Sequence, residues 1–417
     1  MSNMSNLRRC TRCTLPQTHE TIVFDAEGVC NVCRQFEYKR DSIDWTARKR
    51  DLDSLIESYR GKYDYDCIVP FSGGKDSTWT LYYLIREYKL KPLVVRFDHG
   101  FLRPNLHDNT TRVLRELGAD FHSFSPNWKV VQKLMLQTFL EKGDFCWHCH
   151  TGIYSYPMWV ALRYKVPLVF WGEPSAEYTS YFGYDQPEEV DEARFNRYIN
   201  LGITADDMYV RLQGNVDRRE LQPYSYPPLR DLRQLNYRSV CLGSFISWDV
   251  KKQSEIISRE LGWRGDEVEN VPSQYSYEKI ECYMQGVRDY IKFIKRGYAR
   301  TTHLSSIDIR NERIGRDDAM KMIEQTEGKR PPSLDLFLEF VGLTEKEFIE
   351  IAMSHAVSPN VHDPSVTQAG PPTHDFDSWC RQGGMDRSET IVQLQRWNKR
   401  RPTVPVEPVV AGVEEEQ

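Results

Sequence analysis

A short loop at residues 72–77 has the composition of a phosphate-binding site; its residues are Ser72, Gly73, Gly74, Lys75, Asp76 and Ser77. The two glycines let the backbone turn tightly and approach an anion without a Cβ clash. A predicted helix follows, and its first N–H groups and its dipole favour an anion. Since the serine hydroxyls can donate to phosphate oxygens and Lys75 supplies charge, we expect this phosphate loop to bind phosphate.

Two further positions fit a nucleotide site. Phe97 and Asp98 end the second predicted strand, and Gly172 and Glu173 follow the apolar run at 166–171. Open α/β sheets bind ligands beyond the carboxyl ends of their strands. An acidic side chain there could hold Mg²⁺ between phosphates, with a solvated loop charge as the alternative. The loop is not a Walker A motif, because the spacing G-x-x-x-x-G-K-S/T is absent.

Two C-x-x-C pairs lie near the start of the chain, separated by sixteen residues: Cys10 and Cys13, then Cys30 and Cys33. Two such pairs supply four thiolates for tetrahedral zinc. All four positions are filled by protein, so we expect a structural Zn²⁺ site rather than a catalytic one.

A third C-x-x-C, Cys146 and Cys149, lies further along the chain. It could be a redox pair, half of a metal site or two buried thiols. Cys67, which lies in a predicted strand, is expected to pack in the core.

Strands alternate with helices in the middle of the chain, which indicates a parallel sheet covered on both faces. Strands are predicted at 66–71, 93–97 and 166–171, and helices at 77–88, 106–117, 128–142 and 150–164. Residues 181–235 are polar and aromatic and are interpreted as an insertion. Helical periodicity returns at 251–262, 277–297, 315–328 and 343–355.

The predicted organisation is an α/β protein with five parts. These are a zinc-binding segment at 1–40, a connecting helix at 41–62, a nucleotide domain at 63–250, a helical region at 251–357 and a partly disordered tail at 358–417. At ~150 residues per domain, 417 residues suggest two to three domains.

Composition argues against several classes of protein. The net charge of -5 and the pI near 6.1 argue against a nucleic-acid binder, whose domains usually run basic. The longest apolar stretch is far short of the ~20 residues of a membrane span. No secretory signal pattern precedes the cysteines, so we expect a cytoplasmic protein, where clustered cysteines indicate metal or catalysis.

The motif S-G-G-x-D-S resembles the PP-loop of the ATP pyrophosphatase superfamily, whose nucleotide domain is adenine nucleotide alpha hydrolase-like. The resemblance implies that ATP is cut between its α and β phosphates, with Mg²⁺ as cofactor and Lys75 and Asp76 as catalytic residues. Some tRNA-thiolating members hold an iron–sulfur cluster on a C-x-x-C and a distant cysteine. By this resemblance, Cys146, Cys149 and Cys241 are candidate ligands of a second metal or cluster.

Longer motifs resemble the N-acetyl sugar amidotransferase family, the WbpG-like proteins of bacterial surface-polysaccharide synthesis. They are CTRCTLPQT at 10–18, PFSGGKDST at 70–78, CWHCHTGI at 146–153, WDVKKQ at 248–253 and SIDIRN at 306–311. The resemblance runs from about Cys10 to Ser354. It implies that the acetamido group of an N-acetylated, often nucleotide-linked, sugar becomes an acetamidino group. It also implies ammonia from a glutaminase partner through a cyclase-like subunit, because no glutaminase site is recognisable in the chain.

We expect the sugar to lie between the nucleotide domain and the helical region, where polar residues gather at 292–311. The candidates are Arg300, His303, Asp308 and Arg310. Guanidinium groups suit carboxylates and diphosphates because they bind bidentately. The alternative is a solvated helix face with local ion pairs.

Two other functions remain open at this point. A PP-loop tRNA thiolation enzyme would share the loop and the cysteine pairs, although a tRNA binder should show a basic stripe. A non-catalytic scaffold could bind ATP and recruit the glutaminase, although the intact loop argues against it.

Overall fold

The computed structural model describes residues 7–177, 181–371 and 383–400, and its centre is a five-stranded sheet. The strands are β1 (Cys67–Pro70), β2 (Pro92–Phe97), β3 (Asp120–Phe124), β4 (Leu168–Trp171) and β5 (Arg238–Cys241). Their spatial order is β3-β2-β1-β4-β5, and every pairing within the sheet is parallel. The predicted α/β class is therefore confirmed. The strand order reverses between β1 and β4, which is where such sheets form a ligand crevice.

Helices cover both faces of the sheet. Before and between the strands lie α1 (Asn31–Asp41), α2 (Trp45–Glu57), α3 (Lys75–Arg86), α4 (Pro104–Leu117), α5 (Trp128–Lys142) and α6 (Trp147–Tyr164). One core cluster joins the sheet to α3, α4 and the helix that follows β5, and another joins it to α6. Because both faces are covered, the central strands are apolar throughout: Ile68 of β1 pairs with Leu93 of β2 and Val169 of β4.

The predicted insertion at 181–235 consists of short helices that lead back into the sheet. They are α7 (Glu192–Arg194), a π-helical turn (Phe195–Ile199), α8 (Ala205–Arg211), a 3₁₀ helix (Arg218–Tyr224) and α9 (Leu229–Gln234). Several of their apolar side chains form a core cluster with Trp147 of α6 and Phe97 of β2. This segment therefore covers the outer face of α6.

The helical region follows β5. It comprises α10 (Val250–Leu261), α11 (Gln285–Arg296), α12 (Arg300–Arg310), α13 (Arg316–Thr326), α14 (Ser333–Val341) and α15 (Glu345–Ser354). A second large core forms where α11, α14 and α15 pack against α5. Within the described residues, none of the helices has the length and apolarity to cross a membrane.

Three elements differ from the sequence prediction. The strands β3 and β5 were not predicted, since β3 is a mostly exposed edge strand and β5 has only four residues. The helix predicted over 277–297 begins only at Gln285. Residues before it run along the nucleotide domain instead, where the Tyr283 N–H donates to the Phe101 carbonyl at 2.9 Å.

The predicted tail contains a further helix, α16 (Arg387–Arg400). Its Leu394 belongs to the core formed by α5 and α11. Sequence reasoning missed this helix because its pattern is weak and its packing partners lie far away in the chain. The parts of the predicted tail at 372–382 and 401–417 lie outside the described residues.

Candidate functional site

The phosphate loop connects β1 to α3, where the strand order reverses. Gly73 has a φ of +86°, and a Cβ on it would lie 2.9 Å from the Thr110 hydroxyl, so only glycine fits. The Ser77 hydroxyl accepts hydrogen bonds from the N–H groups of Ser72 and Gly73, each at 3.2 Å. No side chain caps the start of α3 at Gly74. The positive end of the α3 dipole is thus available to an anion.

A cavity of about 340 Å³ opens at this loop. That volume lies within the range of small-molecule sites, about 300–1,000 Å³. Ser72 and Ser77 line it, together with residues that follow β2 and β4. Residues of the C-terminal region also contribute: Lys279, Glu281, Cys282, Gln285 and Arg288. The nucleotide domain and the helical region therefore share one cavity.

Lys75 is buried in the first turn of α3. Its Nζ lies 2.8 Å from Asp76 Oδ2 and 2.6 Å from Glu278 Oε1. Burial opposes its charge, but the neighbouring carboxylates, those of Asp76 and Glu278 foremost, raise the pKa of Lys75 well above its usual range. Lys75 is therefore charged, and it joins the loop to a carboxylate of the C-terminal region.

Asp76 and Glu173 both line the cavity. Asp76 Oδ1 and Glu173 Oε1 are buried and have no hydrogen-bond partner among the described residues. Burial, followed by the charge of Asp76, raises the pKa of Glu173 well above its usual range. Buried carboxylate oxygens that lack a donor suit Mg²⁺, so the two side chains fit the cation that accompanies nucleotides.

The other predicted nucleotide residues have different surroundings. Phe97 lines the cavity, whereas Asp98 accepts a hydrogen bond from the Gly100 N–H at 2.8 Å and shapes the turn after β2. Gly172 also lines the cavity, and a Cβ on it would lie 3.1 Å from the Asp76 carbonyl oxygen. Gly172 thus allows the end of β4 to approach α3 closely.

Glu281 brings the C-terminal region into contact with the phosphate loop. Its Oε1 lies 3.3 Å from the Ser72 hydroxyl oxygen. A Cβ on Gly74 would meet this Oε1 at 1.9 Å, so the carboxylate lies directly against the loop backbone. A phosphate at the loop would meet this negative charge. Nucleotide binding therefore requires Glu281 to move or a cation to lie between the two.

The four N-terminal cysteines converge as predicted. Cys10, Cys13, Cys30 and Cys33 are buried, and their sulfur atoms lie within 4.8 Å of one another. Backbone N–H groups of Cys13 and Cys33 lie 3.4 Å from the sulfur three residues earlier, which favours thiolates. Four convergent thiols fit tetrahedral Zn²⁺, which would cross-link this segment when bound.

Cys146, Cys149 and Cys241 all line the cavity at the phosphate loop, which is called the nucleotide cavity after its predicted ligand. Their sulfur atoms do not form a group close enough together to hold one metal ion. Among the described residues, only the four N-terminal cysteines form such a group. Cys282 interacts electrostatically with Cys146 and Cys149, whereas Cys241 interacts with Arg194 and Glu173. Cys282 also lines the cavity beside the pair, and Cys241 as a third ligand stays a prediction.

Comparison with protein families assigns the C-terminal part of the chain. Residues 269–362 match the family described as "LPS biosynthesis protein WbpG-like, C-terminal domain". These residues form a WbpG-like domain. The WbpG-like resemblance is thereby confirmed for this part of the chain. The matched residues include Glu281 and Arg288, which line the cavity, and Glu278, which pairs with Lys75.

Two individual proteins are also similar. An uncharacterized protein of Methanocaldococcus jannaschii is 26% identical over 117 residues, which cover 27% of this chain and 40% of that protein. The U34-tRNA thiolase NcsA from Methanococcus maripaludis, solved with its 4Fe-4S cluster, aligns over 86% of this chain and 100% of its own. At 12% identity and a TM-score of 0.25, this second likeness supports no inference.

The four predicted sugar-binding residues lie on α12 of the WbpG-like domain, and none lines the nucleotide cavity. Arg300 pairs with Asp289 at 3.2 Å, and Asp308 pairs with Arg313 at 3.2 Å. His303 and Arg310 are buried, and the charge of Arg310 acts on Cys13. The structure therefore does not group these four residues around one ligand.

Sequence reasoning missed the part of the WbpG-like domain that does face the cavity. Glu278 and Glu281 lie in a stretch with helical periodicity, and Gln285 and Arg288 lie in the helix after it. Their charge is visible in the sequence, but their proximity to the phosphate loop is not. The positive φ of Lys279, +51°, marks the irregular backbone that lets this stretch leave the helical path.

Proposed function

We propose that the protein is an ATP-dependent amidotransferase that converts an acetamido group of a surface-polysaccharide sugar into an acetamidino group. One observation carries the proposal: the WbpG-like domain and the phosphate loop line the same cavity. A nucleotide at the loop and a sugar held by the domain would then meet in one place. Holding two reactants in one geometry is itself a large part of catalysis.

The order of the proposed chemical steps follows from the properties of the amide group. The amide oxygen is a poor leaving group, so it first attacks the α-phosphorus of ATP and pyrophosphate departs. Ammonia then adds to the amide carbon, the C–O bond breaks, and AMP leaves with the former amide oxygen. Loss of a proton gives the neutral acetamidine, which is protonated again at neutral pH.

Residues in and beside the cavity have assignable roles in this proposal; Lys75 is buried beside the cavity and does not line it. Lys75, charged and held by two carboxylates, would exchange Glu278 for the departing pyrophosphate. Asp76 and Glu173 would hold Mg²⁺, which neutralises phosphate charge. The walls from β4, α6 and the WbpG-like domain would exclude water, which otherwise hydrolyses the adenylated intermediate back to the amide.

Ammonia is expected to come from partner proteins. Free ammonia at neutral pH is mostly ammonium, which is not nucleophilic. We propose a glutaminase and a cyclase-like channelling subunit as partners. The isolated chain should then use ammonium salts poorly and glutamine not at all, and glutamine-dependent turnover should require the glutaminase.

The test is pyrophosphate release from ATP and ammonium, with and without an N-acetylated sugar. We expect release only with the sugar, and a product about 1 Da lighter because NH replaces O. The same sugar without its acetyl group is the control. Pyrophosphate release without any sugar dependence would contradict the proposal, and no release at all would favour an ATP-binding scaffold.

A second candidate function is tRNA thiolation, favoured by the thiols of Cys146, Cys149 and Cys282 in the cavity wall. This function predicts iron and sulfide in anaerobically purified protein, and salt-sensitive tRNA binding. The amidotransferase predicts neither. Metal analysis and a tRNA mobility shift therefore separate the two candidates.

A further inference from the structure

The first turn of α11 presents two side chains to the nucleotide cavity, Gln285 and Arg288. Gln285 is only 6% exposed, and its Nε2 is buried without a hydrogen-bond partner in the described part of the chain. The guanidinium of Arg288 lines the cavity and forms no side-chain hydrogen bond or ion pair with a described residue. Two donors on one helix face thus lack acceptors.

Unpaired donors of this kind are costly. A buried amide N–H that loses water and gains no acceptor destabilises the fold, so the position of the Gln285 amide favours a bound acceptor. Burial opposes the charge on Arg288, but Cys146, Asp144 and Asp289 raise its pKa above the usual value. Arg288 thus stays charged, and no carboxylate of the described residues lies within ion-pair distance of its guanidinium.

The other basic residues of α11 do have partners. Lys295 donates to the carbonyl groups of Lys142 and Gly143, and Arg296 donates to the Thr18 carbonyl. Lys292 lies 3.7 Å from Glu20 and does not line the cavity. Of the four basic residues of α11, Arg288 lines the cavity, and it is the one whose side chain has no hydrogen bond or ion pair within residues 7–177, 181–371 and 383–400.

We propose that Gln285 and Arg288 form an oxyanion subsite for the acceptor sugar, separate from the phosphate loop. Residues three apart on a helix lie side by side, so the amide N–H and the guanidinium can hold one carboxylate or phosphate together. Glu281 lines the same cavity and contacts the phosphate loop through the Ser72 hydroxyl. That the ligand is the acceptor sugar rests on the proposed function. It selects acceptors that carry a negative charge over neutral N-acetyl sugars.

The experiment is calorimetric titration of the full chain in the presence of α,β-methylene-ATP. The probes are N-acetylglucosamine, N-acetylglucosaminuronic acid and UDP-N-acetylglucosamine, which are neutral, carboxylate and phosphate respectively. We expect at least one anionic probe to bind more tightly than the neutral one. The better anionic probe identifies the source of the oxyanion.

Variants test the residues. Arg288→Met should weaken the favoured anionic probe by about 10- to 100-fold, as expected for a lost charged hydrogen bond, and Gln285→Leu by less. Lys292→Met, which removes the same charge one turn further along α11, should leave its affinity unchanged. Affinity for α,β-methylene-ATP should be unchanged in all three variants, which also shows that they are folded.

Three results would overturn the subsite. These are equal affinities for neutral and anionic probes, no binding of either anionic probe, or loss of the ATP analogue in Arg288→Met. The test needs no turnover, so it is independent of the chemistry. If the anionic probe binds through Arg288 but no acetamidine forms, the proposed reaction fails and the subsite stands.

Discussion

The two regions that carry C-x-x-C spacings use their thiols differently. In the N-terminal region four buried sulfur atoms converge, and backbone N–H groups donate to two of them. In the nucleotide cavity, Cys146 and Cys149 stand at the start of α6, and neither accepts such a bond from a described residue. Burial raises the pKa of both thiols above the usual value. The first set is arranged for thiolates and the second for neutral thiols.

This difference shows how much of a metal site the C-x-x-C spacing determines on its own. C-x-x-C brings two sulfur atoms to one side of a turn, but a metal needs further ligands and groups that stabilise negative charge. The N-terminal cysteines have a second pair, and Arg316 donates to the carbonyl groups of Cys10 and Cys13. Predictions about metal content and thiol chemistry can therefore separate the two regions.

The largest expected effect is on metal content. Cys30→Ser should reduce bound zinc from one equivalent to almost none and unfold residues 7–41, because structural zinc sites contribute about 10–16 kcal/mol to the folding of small domains. Cys149→Ser should keep the full equivalent. Mass spectrometry of metals on purified protein measures both. Loss of metal in the Cys149 variant would remove the distinction between the regions.

The second prediction concerns a variant that should lose nucleotide chemistry and keep its metal. Lys75→Met should slow pyrophosphate release by about 10²- to 10³-fold, since it removes a charge that the departing group requires. Its zinc content should stay at one equivalent. Lys62→Met, at an exposed position just before the nucleotide domain, is the matched control. Unchanged pyrophosphate release in the Lys75 variant would refute the assigned role.

Thiol reactivity gives a third comparison. Burial raises the pKa of Cys282 to about 11 and that of Cys241 to about 11. At pH 8 these thiols should alkylate about 100-fold more slowly than an ordinary cysteine, because only the thiolate reacts. Their rate should rise tenfold per pH unit up to pH 11. Peptide mapping after iodoacetamide treatment measures this.

The N-terminal thiols should behave differently in the same experiment. Bound metal protects them until a chelator is added, after which all four should react. Fast alkylation of Cys149 at neutral pH without a chelator would show that this thiol is ionised, and the cavity would then be a site of thiolate chemistry.

The smallest effect is expected from pH. Burial, followed by the charge of His99, lowers the pKa of His148 to about 3, so this side chain is neutral in the folded protein. Its unfolded pKa is about 6.5, so its contribution to stability is complete above pH 6.5 and falls as the pH drops towards 3. Between pH 7 and pH 5 the loss should be about 2 kcal/mol.

Urea unfolding of the wild-type protein and His148→Gln at the two pH values isolates this contribution. The variant should be less stable at pH 7, but its stability should change less with pH. A parallel pH dependence of the two proteins would show that His148 is already protonated or solvent-exposed in the folded state.

Local sequence patterns predicted only part of the site. Ser72–Ser77 lies between an apolar strand and a helix, so strand, loop and helix could be predicted together. The contacts of Glu278, Glu281 and Arg288 depend on how distant segments pack, and their sequence neighbourhood indicates only a helix. The edge strand β3 lacks the continuous apolar pattern by which buried parallel strands are recognised.

The attachment of the N-terminal cysteine segment has a consequence for biosynthesis. Thr14 is hydrogen-bonded to Ser306 at 2.8 Å, and Ile309 packs against the four-cysteine cluster. At about 5–20 residues per second, a ribosome needs about 15–60 s to make the 292 residues that separate Thr14 from Ser306. During that interval the four thiols lack this cover. Metal loading on the nascent chain would protect them from oxidation before α12 exists.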